Sequence, residues 1–353
     1  MAYSPAVKLI DEAGAAYGVK HVSNKIRVSA MPYTYDIAEG NISDHDPVGL
    51  IGYSPTMTTA QSDIWSAAGA YVWPAAAQQM ELHSSENSQD IATVIKSGTS
   101  TGGSTTTLID TGKDFTAATA VAAGDCVILD GTDEFGFVTS LTSTNQLNIA
   151  AGFSEGGSAS EQAYRVVDYS STTGAHVVLL KYLDAAFAEK RELIIANGTT
   201  DTNTAGSDIY RIQEVHVVAA GSGNAPVGAL SIRNTAGTVT YAFITAAYTQ
   251  ARQLIWTVPA GKTLYVTSLR MGWADSANQI NYARLWLRCN RIHGSDFSTG
   301  RIFNPFIEVM CANNTINAEM TFPLVLSAGT DIIAGGIATS AGTATAALRG
   351  WIE

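Results

Sequence analysis

From Leu50 to Glu353 the chain repeats one kind of segment: a short run rich in β-branched, aromatic and alternating apolar residues, closed by Gly, Pro, Asn or Asp. The run Thr263-Leu264-Tyr265-Val266-Thr267-Ser268-Leu269-Arg270-Met271, entered through Val258-Pro259-Ala260-Gly261, is one example. A period of two places apolar side chains on one face of a strand and polar ones on the other. Short runs of this kind, separated by turns, pack as antiparallel sheets laid face to face. The expectation is an all-β protein of β-sandwiches, a build that fills volume and presents surface. Only 74–80 and 184–190 could form helices, and each is too short to change the class.

Composition shifts divide the chain. Residues 1–47 read as an extended N-terminal arm. Val19-Lys20-His21-Val22 and Lys25-Ile26-Arg27-Val28 flank Ser23-Asn24 as in a small hairpin, and Pro32 keeps the residue before it extended. The arm is too short for a core of its own, so Met31, Tyr33, Tyr35 and Ile37 are its candidate partner-binding residues. A first β-sandwich is expected over 48–237. It is interrupted by 97–165, whose Gly/Ser/Thr-rich ends (Ser97 to Ser104, and Ser154-Glu155-Gly156-Gly157-Ser158) read as flexible joints. Between them lie roughly five or six short strands, expected to form a small inserted β-barrel, because exposed loops tolerate insertions. A second sandwich, jelly-roll-like with roughly seven to eight strands, is expected over 238–353.

Charge narrows the partners. Only 14% of residues are charged, against about 25% in average globular chains. The net charge is −11, which repels a phosphate backbone and argues against nucleic acid. No basic amphipathic stretch points to a membrane surface, and no run approaches the roughly 18 apolar residues of a spanning helix. The opening Met-Ala-Tyr-Ser-Pro has no basic and then apolar leader, which predicts synthesis in a cytoplasm. Cys126, Cys289 and Cys311 form no disulfide framework and are expected reduced, although Cys289 and Cys311 could pair if their strands are neighbours.

Chemical motifs are sparse. Gly98-Thr99-Ser100-Thr101-Gly102 spells a nucleophile elbow but lacks the strand–turn–helix that holds such a serine, and it reads as linker. Gly261-Lys262-Thr263 resembles the end of a phosphate loop, yet Trp256 stands where the loop needs glycine; a β-turn is expected. The six histidines show no metal-ligand spacing. Asp44-His45-Asp46, near Asp36 and Glu39, could hold a divalent ion with oxygen ligands, but a turn capped by Asp is the simpler reading. Glu81, Glu192, Glu214, Glu308 and Glu319 are the acids from which a glycosidase pair could come, without distinguishing neighbours. Trp65, Tyr71 and Trp73 are either sheet-end core or a carbohydrate platform or interface anchor. No catalytic residue, metal site or cofactor is assigned.

Three stretches carry a resemblance. They are Gly18-Val19-Lys20-His21-Val22 with Met31-Pro32-Tyr33 and Tyr35-Asp36-Ile37-Ala38-Glu39-Gly40-Asn41-Ile42-Ser43; Asp63-Ile64-Trp65 with Gly69-Ala70-Tyr71-Val72-Trp73-Pro74; and Thr257-Val258-Pro259-Ala260-Gly261-Lys262-Thr263-Leu264-Tyr265. Together they resemble a family of tailed-bacteriophage virion structural proteins, with 97–165 outside the resemblance. The family implies a β-sandwich particle component without enzymatic activity. A capsid decoration (cement) protein is the first expectation, made in the host cytoplasm and located on the capsid exterior. It would bind the major capsid protein or other virion subunits as a homo-oligomer, a trimer by the threefold sites of icosahedral shells. A tail or baseplate component is the second reading, and a tailspike-like glycan-binding protein or glycosidase the third.

Overall fold

The structure is a computed structural model. It describes residues 45–275, 281–292, 295–296 and 304–353, with the two-residue strands Leu9–Ile10, Ala16–Tyr17, His21–Val22 and Lys25–Ile26. The chain forms two compact units, Met1–Pro47 and Val48–Glu353. In the first, Leu9–Ile10 pairs antiparallel with Ala16–Tyr17, and His21–Val22 with Lys25–Ile26.

The second unit is all-β: among the described residues there is no helix, and its sheets are antiparallel in every pairing whose register is defined. Its C-terminal sandwich faces two sheets against each other. One has the order Asn314–Leu326, Leu264–Asp275, Gly342–Ile352, Asp46–Met57. The other has the order Ile255–Thr257, Asp331–Ala338, Ala283–Cys289, Asn304–Cys311, and Ser62–Asp63 pairs the far end of Asp331–Ala338. Alternate residues point inward, so Leu264, Val266, Leu269, Met271 and Trp273 meet Leu285, Leu287, Ile332 and Ala334 in one core. Residues of this size stabilise the fold by about 1.5–3 kcal/mol each when fully buried.

The first sandwich packs the three-stranded sheet Glu189–Ile195, Ala175–Leu183, Arg211–Ala220 on a four-stranded sheet. The order of the latter is Thr202–Asn203, Met80–Ser84, Leu230–Asn234, Thr240–Ile244. Val178, Leu180, Ile194 and Val215 fill its core against Leu82, Leu230, Ile232 and Tyr241.

Two boundaries differ from the sequence reading. Asp46–Met57 and Ser62–Asp63 belong to the C-terminal sandwich, and Thr240–Ile244 belongs to the first. A cut at 237/238 falls in the tip of the hairpin that pairs Leu230 with Ile244. Gly237 (φ +66°) and the Asn234 carboxamide, which accepts from the Thr238 and Val239 amides, hold that tip. The turn looks like an interdomain break in sequence because both use the same residues.

The interrupting segment forms a seven-stranded sheet built only from strands between 94 and 167. Its order is Val94–Thr99, Ala163–Val167, Cys126–Leu129, Glu134–Ser143, Gln146–Ile149, Thr107–Ile109, Gly102–Gly103. It is not closed into a barrel, contrary to the sequence expectation. Instead the continuous segment 94–103 supplies both edges. Residues 94–99 pair with Ala163–Val167, then the Ser100 amide donates to Gln162 O and the Thr101 amide to Ile109 O. Partner exchange at Ser100 replaces the ladder that would have closed the sheet. Nor are residues 97–104 a free hinge, since Val94–Thr99 and Gly102–Gly103 are strands.

This module is not isolated from its host. One face of its sheet (Cys126, Ile128, Val167) packs on Val177, Leu193 and Ala219, the residues of the three-stranded sheet that point away from the sandwich core. Three sheets are therefore stacked, with the three-stranded sheet buried on both faces.

Candidate functional site

Among the described residues the largest fully buried side chain belongs to an arginine. Arg211, 2% exposed, opens strand Arg211–Ala220 of the first sandwich and reaches Asp331 of the C-terminal sandwich. The pairing is bidentate: Nε donates to Oδ1 at 2.9 Å and Nη2 to Oδ2 at 3.1 Å. Asp331 also accepts from Thr257 Oγ1 at 2.6 Å and Asn290 Nδ2 at 3.1 Å. Gln213 brackets the Thr257 backbone, donating to its carbonyl and accepting from its amide. The guanidinium lies over the rings of Trp73 and Tyr210, at 4.9 and 3.9 Å. Every polar atom here is matched within the protein, so the cluster joins two sandwiches and offers no open position to a ligand.

The aromatic row resolves as core. Trp65 and Tyr71 are buried with Ile255 and Ile333, and Tyr71 meets Trp65 and Trp73 edge to face at 5.2 and 5.1 Å. A carbohydrate platform needs exposed ring faces; Trp65 and Tyr71 are buried, and the half-buried Trp73 carries the Arg211 guanidinium over its ring.

The outer face of the sheet containing Leu264–Asp275 carries a groove of about 350 Å3. Strand pairing sets its rows. Ser268 stands between Glu319 and Arg349, Arg270 between Asn317 and Ala347, and Gly272 between Thr315 and Thr345. The floor is low because Gly272, Ser268 and Ala347 are small. A Cβ on Gly272 would stand 2.7 Å from Thr315 Oγ1. Asn317 Nδ2 donates to Glu319 Oε1 at 2.8 Å. By contrast, Arg165, Arg191, Arg211, Arg233, Arg284 and Arg288 all make ion pairs, and none of the ion pairs among the described residues involves Arg270 or Arg349.

A second surface lies on the facing sheet, where Asn304–Cys311 is an edge strand. On its outer side Arg284 stands between Met310 (51% exposed) and Ile337 (38% exposed), with Phe306 (39%) further along the edge and Tyr282 (48%) beside them. Arg284 is held by Glu308 through two bonds of 2.6 and 2.7 Å, which lower the Glu308 pKa. Phe322, on the edge strand of the opposite sheet, is 84% exposed.

The remaining sequence candidates fall into place individually. Met31, Tyr33, Tyr35 and Ile37, and Asp44, lie outside the described residues. Among the described residues no group of three or more metal-ligating side chains gathers. Ser100 is 2% exposed and its hydroxyl donates to the Ala159 carbonyl, so it serves the partner exchange and faces no base. Gly261 (φ +73°) and the Lys262 amide, bonded to Pro259 O, form the turn expected there. All three cysteines are free and buried. Cys289 pairs with Asn304 and Cys311 with Ala283, so the two thiols sit at opposite ends of neighbouring strands and cannot bridge. Burial pushes the Cys126 thiol up to about 12, which makes it inert. Of the five glutamates, Glu81 pairs with Arg233, Glu192 accepts the Ala205 and Gly206 amides, Glu214 pairs with Lys181, and Glu308 pairs with Arg284. Glu319 lines the groove.

Sequence reasoning missed both surfaces. The signal was partly present, since Arg270 occupies an outward position in an alternating run, but its neighbour Arg349 becomes adjacent only through strand pairing. The chain matches no family model, no curated protein and no solved structure.

Proposed function

We propose that the chain is a non-catalytic structural subunit of a tailed-bacteriophage particle, a decoration protein that sits on the head exterior and clamps neighbouring capsid subunits. The observation that carries this reading is the exposure of Tyr282, Met310, Ile337 and Phe306 around the Arg284–Glu308 ion pair on the outer side of a sheet edge. Large apolar side chains left exposed at a sheet edge favour association, and the free side of the edge strand adds backbone donors and acceptors to the same contact. The partners in this reading are the major capsid protein and further copies of the chain, arranged as a trimer. Met31, Tyr33, Tyr35 and Ile37 of the N-terminal segment supply a second contact. Neither nucleic acid nor membrane is a partner, consistent with the net charge of −11, and no cofactor is required.

A clamp that binds only the assembled shell stabilises it by mass action. Particles assembled without the protein should release their DNA at lower temperature than complete ones. Copy number per particle provides the second readout, hundreds for a head protein against a few dozen or fewer for a tail component. Depleted particles with heat-resistant heads and missing tails would overturn the decoration reading in favour of a tail or baseplate role.

A further inference from the structure

The groove between Glu319 and Arg349 brings together two arginines without a carboxylate partner among the described residues. This is an acidic chain, with 20 basic and 31 acidic residues, and among the described residues Arg165, Arg191, Arg211, Arg233, Arg284 and Arg288 are committed to carboxylates. Arg270 and Arg349 are not, although both stand in the same groove. They sit on adjacent strands one row apart, since Arg349 pairs with Ser268 and Arg270 with Ala347. Two guanidinium groups so placed present forked donors to an anion, the geometry by which arginine holds carboxylates and phosphates.

Glu319 and the neutral lining narrow the ligand. A polyphosphate or nucleic acid would meet the Glu319 carboxylate as well as the arginines, and would be repelled by it. A ligand that carries hydroxyl donors beside its anionic group satisfies both kinds of partner. Ser268, Thr315 and Asn317 supply further donors and acceptors. A peptide fits less well. Leu264–Asp275 is paired on both sides, by Asn314–Leu326 and Gly342–Ile352, so the floor leaves no free backbone edge for strand addition. Apart from Ala347 the lining holds no apolar residue to seat a peptide side chain. The volume of about 350 Å3 lies at the small end of ligand sites, which span about 300–1,000 Å3.

We infer that this groove binds a carboxylate-bearing saccharide, with Arg270 and Arg349 on the carboxylate and Glu319, Asn317, Ser268 and Thr315 on the hydroxyls. The inference does not depend on the protein's place in a particle. It would give the subunit a contact to acidic surface polysaccharide in addition to any contact with its shell.

The test is retention of the full-length protein on immobilised oligosaccharides of glucuronate, galacturonate and N-acetylneuraminate, each beside its carboxyl-reduced neutral counterpart. A polyglutamate column and a phosphate column serve as further arms. Wild type should be retained on at least one acidic saccharide and on none of the reduced forms. Arg270→Gln with Arg349→Gln should weaken retention by about tenfold or more, the scale of losing charge-assisted hydrogen bonds. Glu319→Gln should weaken it without abolishing it. These residues lie on an outer face, and an unchanged thermal transition certifies that the variants are folded. Lack of retention on every acidic saccharide would overturn the inference, as would retention unchanged in the double variant. Equal or stronger binding to polyglutamate or phosphate would overturn it in favour of a general anion surface.

Discussion

Arg211 and Asp331 form a bidentate ion pair, each side chain 2% exposed, and they belong to different sandwiches. A charge removed from water to this degree costs several kcal/mol, and good geometry with further hydrogen bonds is what offsets it. Asp331 has those further bonds from Thr257 and Asn290, and Arg211 has the Tyr210 carbonyl at 2.9 Å. The pair therefore specifies how the two sandwiches meet more than it adds net stability.

Breaking the pair from one side should be severe. Arg211→Met leaves the Asp331 carboxylate buried beside two neutral donors only, and should lower the unfolding free energy in urea by about 3–5 kcal/mol. Arg211→Met with Asp331→Leu removes both charges and should cost clearly less than the sum of the single changes. A double variant as damaged as that sum would mean that the pair contributes independent local contacts.

Gly98 is the second test. A Cβ at this position would lie 2.8 Å from Asp110 Oδ2 and 3.2 Å from the Tyr164 hydroxyl. Those two atoms hydrogen-bond each other at 2.7 Å inside the module. Gly98→Ala should therefore force that bond apart and destabilise the protein by about 1–3 kcal/mol. Thermal unfolding that matches wild type would show that the neighbourhood yields without cost.

These residues also mark where sequence reading stops. The all-β class was legible because short alternating or β-branched runs recur between turn residues, and Leu264–Asp275 shows the alternation on either side of its bulge at Val266–Ser268. The partner of each strand was not. Asp46–Met57 joins Gly342–Ile352 from the opposite end of the chain, and nothing local to either strand encodes that pairing. Gly98 and Ser100 look like linker because glycine and serine fill linkers. Here glycine makes room for the Asp110–Tyr164 bond and serine bonds the Ala159 carbonyl. The groove escaped notice for the same reason as the pairings, since Arg270 and Arg349 become neighbours only through the register Ser268 to Arg349.

Acid should destabilise the fold in two stages. His176 is 1% exposed, its Nε2 is 2.8 Å from Thr172 Oγ1, and burial pulls its pKa below the ordinary 6.5. The folded state holds it neutral while the unfolded chain takes up a proton. Its contribution is complete above pH 6.5 and is lost as the pH falls toward the depressed folded value. Glu214 is held down to about 2 by the His216 hydrogen bond and by Lys181. Its contribution is complete above 4.5 and fades as the pH falls toward 2, and solvent screening keeps it small because the pair is exposed. The urea midpoint should drop between about pH 7.5 and pH 5.5 in wild type, and His176→Gln should flatten that part of the profile. An identical slope in the variant would assign the loss to other groups.

Excising the module tests how independent it is of its host. Its two ends are already adjacent, since the Asp168 amide donates to the Thr93 carbonyl at 2.9 Å. Joining Thr93 to Asp168 through a two-residue Asn-Gly turn should therefore close without strain, and all seven strands of the inserted sheet leave together. The host sandwich keeps its own core of Leu82, Val178, Leu180, Ile194 and Ile232, so it should still fold cooperatively. What the deletion removes is the cover over Val177, Leu193 and Ala219, which now pack on Cys126, Ile128 and Val167. An uncovered apolar sheet face promotes association. The deleted chain should bind a hydrophobic dye and self-associate in sedimentation, and Val177→Thr with Leu193→Thr should restore a monodisperse species. Failure of the deleted chain to fold even with those substitutions would mean that the three stacked sheets form one cooperative unit. In that case the module would be an integral layer of the protein.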